Sequence, residues 1–214
     1  MKVSAAKENI LKKIRQALSQ STPIPFPQSE GNNTVFETSK EELEVEFAEK
    51  FTKLQGKFIF CVDENELLSQ LSALIILNKW TDIFYKEDKF KTIFSEKFAP
   101  IISERELNNC NAAITSCEAL IARTGSIVMS AAQQSGRTVS VYAPVHICIA
   151  YTSQLAYDIK DGLQMIKEKY PDNHLPSLIT FASGPSRTAD IEKTLVVGVH
   201  GPKEVYVFLV DEQS

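Results

Sequence analysis

The stretch Lys57-Phe58-Ile59-Phe60-Cys61-Val62-Asp63 decides the fold of this chain. A short apolar run with aromatic and β-branched side chains reads as a strand, and the aspartate that ends it is placed to cap a helix. That helix carries Leu67, Leu68, Leu71, Leu74 and Ile75 at helical spacing. A strand running straight into a helix is one half of a βαβ unit. Thr81-Asp-Ile-Phe-Tyr85 follows as the next strand, then a polar helix near Glu87 to Lys97, then a strand at Ala112 to Thr115. Strands alternating with helices of this length imply a parallel sheet, because parallel neighbours need a crossover connection and antiparallel ones only a turn.

Toward the C-terminus the spacing changes. Ser126 to Ser130, Thr138 to Tyr142 and His146 to Ala150 read as three strands with no room between them for crossover helices, so they are expected to be hairpin-like, or at least to adjoin in space. A long helix is expected from Ser153 to Tyr170, with Leu155, Ile159, Leu163 and Ile166 on one stripe, followed by strands at Ser177 to Ala182 and Val205 to Val210. The expected fold class is α/β with a mixed, mostly parallel sheet.

Toward the N-terminus, a helix from about Ser39 to Gln55 presents Leu43, Phe47, Phe51 and Leu54 on one face, with Gly56 placed to end it. Before it, Thr22-Pro-Ile-Pro-Phe-Pro27 is a linker, since each proline lacks an N–H and pushes its predecessor into extended backbone. Ile10, Leu11, Ile14 and Leu18 mark an amphipathic helix at the start. Residues 1–38 therefore read as a helical arm with a Pro-rich linker, and 39–214 as one α/β domain. The arm either folds back or packs on a partner, which makes a homo-oligomer through the arm an expectation.

With 214 residues and 43% hydrophobic content the chain can bury one sizeable core. Its formal charge of -4 gives no general attraction to nucleic acid. The first 20 residues are polar and helix-periodic, and no run of about 18 apolar residues occurs, so no membrane span and a cytoplasmic location are expected. Cys61, Cys110, Cys117 and Cys148 lie far apart with no CxxC run. They read as free thiols, and neither an iron–sulfur cluster nor a metal is expected in this chain. The absence of a GxGxxG fingerprint after a strand leaves a tightly bound NAD or FAD of the usual kind unindicated.

The residues suited to chemistry gather near the C-terminus. Directly after the strand ending at Ala182 comes Ser183-Gly-Pro-Ser-Arg-Thr-Ala-Asp190, in which Thr188 is expected to cap a short helix. Helix N-termini offer free N–H groups to anions, and crevices beyond strand ends in α/β sheets bind ligands. Arg187 adds a planar charged fork, and Ser186 and Thr188 add hydroxyl donors. The plainer reading is a capped turn with a solvated arginine. Gly198-Val-His-Gly-Pro202 and Thr124-Gly-Ser126 are two more glycine turns, where a small backbone lets a ligand approach closely. The candidate ligand-binding set is thus Thr124, Gly125, Gly184, Ser186, Arg187, Thr188 and Gly201. His200, between glycine-rich neighbours, and Asp190, which orients Arg187 or answers the helix dipole, are the catalytic candidates. His146 is a weaker proton carrier, His174 lies in a polar loop, Glu192 sits on the opposite helical face from Asp190, and Cys117 and Cys148 read as apolar packers.

Four runs carry a family resemblance: Ile121-Ala-Arg-Thr-Gly-Ser-Ile-Val128, Ala143-Pro-Val-His-Ile147, Gly184-Pro-Ser-Arg-Thr-Ala-Asp-Ile-Glu192 and Gly198-Val-His-Gly-Pro202. In order and spacing they resemble the LUD domain of the lactate-utilization protein C type, closely over about Cys110 to Val210 and in general layout before that. The resemblance implies a fold of the ribose-phosphate isomerase and CoA-transferase group, with Rossmann-like layering. It also implies a bacterial role in oxidising L-lactate to pyruvate together with iron–sulfur partner proteins, which would hold the clusters. The sequence departs from the family where Arg123 stands before Thr124-Gly125, a position expected to be acidic. Two other functions remain open: a free-standing enzyme acting on a phosphorylated or acyl-CoA substrate, and a non-catalytic scaffold or regulator. A covalent-carboxylate transferase would require a glutamate on a strand end facing the pocket, and none is expected there.

Overall fold

The computed structural model describes residues 5–19, 41–94, 98, 101–103, 107–170, 174–191 and 194–212. The chain forms two compact units, Met1–Glu37 and Thr38–Ser214. The first contains helix α1 (Ala5–Ser19), with Ile10 and Ile14 exposed on one side. The Pro-rich linker lies outside the described residues.

The second unit opens with α2 (Leu43–Lys53), whose Phe47 and Phe51 are fully buried. Strand β1 (Lys57–Cys61) then leads into α3 (Glu64–Asn78) through Asp63, whose carboxylate accepts the Glu66 backbone N–H at 2.7 Å. This is the N-cap that the sequence implies, and Leu67, Leu71 and Ile75 bury its inner face. There follow β2 (Ile83–Tyr85), a short α4 (Lys89–Ile93), β3 (Ile102–Ser103) and β4 (Ala112–Thr115). Together with β7 (Val145–Tyr151) and β12 (Glu204–Val210) these strands form a six-stranded sheet in the order β1-β12-β7-β4-β2-β3, parallel throughout. The α/β class and the mostly parallel sheet are as expected.

A second, four-stranded sheet in the order β8-β5-β6-β9 is built from β5 (Ala119–Ile121), β6 (Ser126–Ser130), β8 (Leu155–Ala156) and β9 (Ile179–Ala182). The pleat of β12 shows how the layers join. Tyr206, Phe208 and Val210 face α3 and α4, whereas Val205, Val207 and Leu209 face α2 and the inner side of the second sheet. The outer side of the second sheet, with Ala119, Ile121 and Val128, packs on α6 (Ile159–Lys169). With both faces covered, β7 and β12 bury nearly every residue, which explains why they read as continuous apolar runs.

Four expectations fail in whole or in part. Thr138 to Tyr142 is not a strand but ends in a helical turn, α5 (Val139–Tyr142), where only Val139 is buried and Val141 and Tyr142 are exposed. Its β-branched residues never acquire a partner strand. Ser126 to Ser130 and His146 to Ala150 are not hairpin partners but lie in different sheets, although they do adjoin in space, with Ile127 and Met129 packed in one cluster with Cys148 and Ala150. The long helix expected from Ser153 begins only at Ile159, because Asp158 caps it reciprocally with Asp161 and the preceding residues form a 3-10 turn and β8. Finally, the short helix capped by Thr188 is absent: Arg187–Ile191 is strand β10, paired antiparallel with β11 (Thr194–Val197).

Candidate functional site

The hairpin changes the chemistry available at Gly184 to Asp190. Without a helix N-terminus no fan of free N–H groups faces outward, and the Arg187 guanidinium donates instead to the backbone carbonyl of Leu54 at 2.6 Å. Leu54 caps the C-terminus of α2, where the unsatisfied carbonyls carry partial negative charge, so Arg187 neutralises a helix end. The glycines close on the same helix. Gly125 has φ 58° and a Cβ there would stand 2.6 Å from the Phe51 backbone nitrogen; Gly184 has φ 86° and a Cβ would stand 2.5 Å from the Leu54 carbonyl oxygen. Both are glycine because backbone must come close, and the approaching group is α2. A hydroxyl chain ties the two turns together: Thr124 Oγ1 and Ser126 Oγ are 2.8 Å apart, and Ser126 Oγ and Ser183 Oγ 2.7 Å.

The two C-terminal motifs meet. Ser186 N–H donates to the Pro202 carbonyl and Gly198 N–H to the Ser186 carbonyl, each at 2.9 Å, while Gly201 leaves room for the Ser186 side chain, which a Cβ would crowd at 2.9 Å. At this junction a recess of about 450 Å³ opens, lined by Tyr142, Pro144, Gly198, His200, Gly201 and Lys203 among others. Among the described residues, Lys203 and His200 line it and no aspartate or glutamate does. Lys203 N–H donates to the Pro144 carbonyl at 2.8 Å, which places the recess at the N-terminal ends of β7 and β12. Ser186 and Gly201 border it, Arg187, Gly184, Thr124 and Gly125 lie against α2, and Thr188 and Asp190 continue along β10.

His146 is buried, with its ring 2.8 Å from Thr115 Oγ1. Burial pushes its pKa down to about 4, so the imidazole is neutral at physiological pH and acts as a core residue. Arg123 makes a bidentate pair with Asp158, at 2.9 and 3.1 Å, and that hydrogen bond holds the Asp158 carboxyl below its usual range. The basic residue thus serves the N-cap of α6. Cys117 and Cys148 are both buried, and the hydrogen bond that the Cys148 thiol shares with Cys117, together with burial, drives that thiol well up, as suits inert packers.

The C-terminal edge of the large sheet carries residues that the sequence reading did not single out. Glu87 follows β2, and Ser116 and Glu118 follow β4, all buried. The Glu87 carboxylate accepts the Ser116 backbone N–H at 2.8 Å and its hydroxyl. Gln133 donates to Ser116 Oγ at 3.0 Å and accepts the Ser130 N–H at 2.8 Å. Glu118 accepts from Ser130 Oγ at 2.5 Å, Lys169 Nζ at 2.7 Å and Tyr170 OH at 2.9 Å. Burial works against the Lys169 charge, yet the carboxylate holds its ammonium above the usual lysine range. Glu118 therefore stands between β4 and β5 with both carboxylate oxygens engaged by neighbouring side chains. Its partners lie up to 52 residues away in sequence, so no local motif announces it. Among the described residues no three His, Cys, Asp or Glu side chains gather to hold a metal.

A profile of the LUD domain matches residues 43–210. The chain belongs to the LUD domain family. An uncharacterized protein of Neisseria meningitidis is 33% identical over 119 residues, covering 52% of this chain and 50% of its own. The protein of Bacillus licheniformis named lactate utilization protein C is 37% identical over 103 residues, covering 47% of this chain and 43% of its own, and its namesake from Geobacillus is 39% identical over 103 residues with the same shares. This LUD chain thus matches about half the length of these curated relatives. The fold is similar to that of a DUF162 family protein from Deinococcus radiodurans solved by crystallography, with TM-score 0.59 and 17% identity over 81% of this chain and 99% of that one. Among the described residues no helix of this LUD protein is long and apolar enough to cross a membrane.

Proposed function

We propose that this LUD protein is a cytoplasmic subunit of a bacterial L-lactate utilization system, in which it works with iron–sulfur partner proteins in the oxidation of L-lactate to pyruvate. Relatives that bear the name lactate utilization protein C support the process. The observation that carries the site is the recess where the two glycine turns meet, lined by Lys203 and His200 and, among the described residues, by no aspartate or glutamate. A small carboxylate fits that lining: the Lys203 ammonium neutralises it, the backbone at Gly198 and Gly201 allows close approach, and the His200 ring is placed to hold or pass a proton. Ser186 supports Gly201 from beneath, and Arg187, Gly184, Thr124 and Gly125 hold the turns against α2. Asp190 belongs to the same motif on β10. On this reading the chain binds and positions its anion, and electrons pass to clusters in the partners.

Deleting the gene is expected to abolish growth on L-lactate as sole carbon source and to spare growth on a sugar. A plasmid copy of the native sequence restores growth, and one carrying Lys203→Ala does not. Undiminished growth of the deletion strain on L-lactate would overturn the assignment.

A further inference from the structure

Strand β1 forms one edge of the large sheet, and between it and α2 lies a groove of about 700 Å³ that the LUD motifs do not touch. Its floor is apolar. Val45 is 47% exposed and Phe60 42% exposed, with Phe58 beside them. Its rim is acidic: Glu44, Glu49 and Asp211 line it, and among the described residues no lysine or arginine does. Aromatic and aliphatic side chains left this open on a sheet edge mark an interaction surface, since a free edge of this kind invites pairing unless it is covered.

One segment of this chain has the opposite character. In α1, Ile10 and Ile14 stand one turn apart on the same face and are 59% and 48% exposed. Lys12, Lys13 and Arg15 are exposed around that stripe, with Glu8 as the acidic residue of the first turn. An amphipathic helix with a cationic flank laid into an apolar groove with an anionic rim is a common recognition mode, with the apolar anchors supplying affinity and the charges supplying orientation.

We propose that the β1–α2 groove is the docking site for helix α1 of a second copy of this chain, so that two chains exchange arms in a twofold dimer. Each dimer then contains the contact twice, and the apolar floor and the apolar stripe cover one another. The test is light scattering after size exclusion on the full-length protein at about 50 μM, a concentration well above the Kd of a micromolar dimer. The native chain is expected to elute as a dimer and Ile10→Asp/Ile14→Asp as a monomer with an unchanged far-UV circular dichroism spectrum. Glu44→Lys/Glu49→Lys is expected to weaken the dimer at least tenfold. Adding Lys12→Glu/Lys13→Glu to that groove variant restores it, a rescue that a merely damaged fold would not give. A native chain that is monomeric, including one whose own arm fills its own groove, overturns the proposal. So does a dimer that none of these variants weakens.

Discussion

Replacing Gly125 with alanine tests the claim that the Thr124-Gly-Ser126 turn is shaped by α2. Gly125 sits at φ 58°, in the left-handed region, where an L-residue with a Cβ costs about 1–2 kcal/mol. The added methyl would lie 2.6 Å from the Phe51 nitrogen and 2.8 Å from the Lys50 carbonyl carbon. Both are backbone atoms of a helix anchored by two fully buried phenylalanines, so relief requires shifting α2, and overpacking of this kind costs about 1–3 kcal/mol. The sum is roughly 2–5 kcal/mol, and at about 2–4 °C per kcal/mol for a domain of this size the melting temperature should fall by roughly 4–20 °C. Thermal unfolding followed by circular dichroism measures it. A variant that melts within a degree or two of the native protein would refute the reasoning, and would mean that the glycine is there for something other than the helix.

Two further outcomes follow from buried groups. His146 has its pKa pushed down to about 4 from 6.5, so the unfolded state binds the extra proton between those values; the stability is present in full above pH 6.5 and is lost as pH falls toward 4. The loss is about 3 kcal/mol, and urea titrations at pH 7 and pH 4.5 should show a smaller drop for His146→Gln than for the native protein. Lys169→Met should cost about 1–2 kcal/mol, less than breaking a fully buried pair because Lys169 itself reaches solvent, and Glu118→Gln in the same chain should recover part of that loss in a double-mutant cycle.

Local signals were readable in the sequence and non-local ones were not. Asp63 caps α3 because the cap is a contact between neighbours, and Lys57 to Cys61 is a strand because its side chains alone favour it. Ser183 to Asp190 misled because Ser, Thr and Asp cap helices and equally start turns; the choice was made by pairing with Thr194–Val197, which no residue in the motif encodes. Thr138 to Tyr142 has the composition of a strand but no partner to complete it. The glycines at 125 and 184 read in the sequence as room for a ligand, whereas the group that closes on them is α2, which depends on residues about 70 and 130 positions earlier in the chain. The Glu87, Ser116, Gln133 and Glu118 network was invisible for the same reason, since it is assembled from three separate segments, after β2, β4 and β6.

The most direct test of the account is a calorimetric titration of L-lactate and of pyruvate into the native protein and into Lys203→Ala. The account predicts saturable binding of at least one of the two to the native protein and at least a tenfold loss in the variant, with an unchanged melting temperature in the absence of ligand. Equal affinity in both proteins, or binding abolished only by changes at Ser116 and Glu118 on the opposite sheet edge, would contradict it.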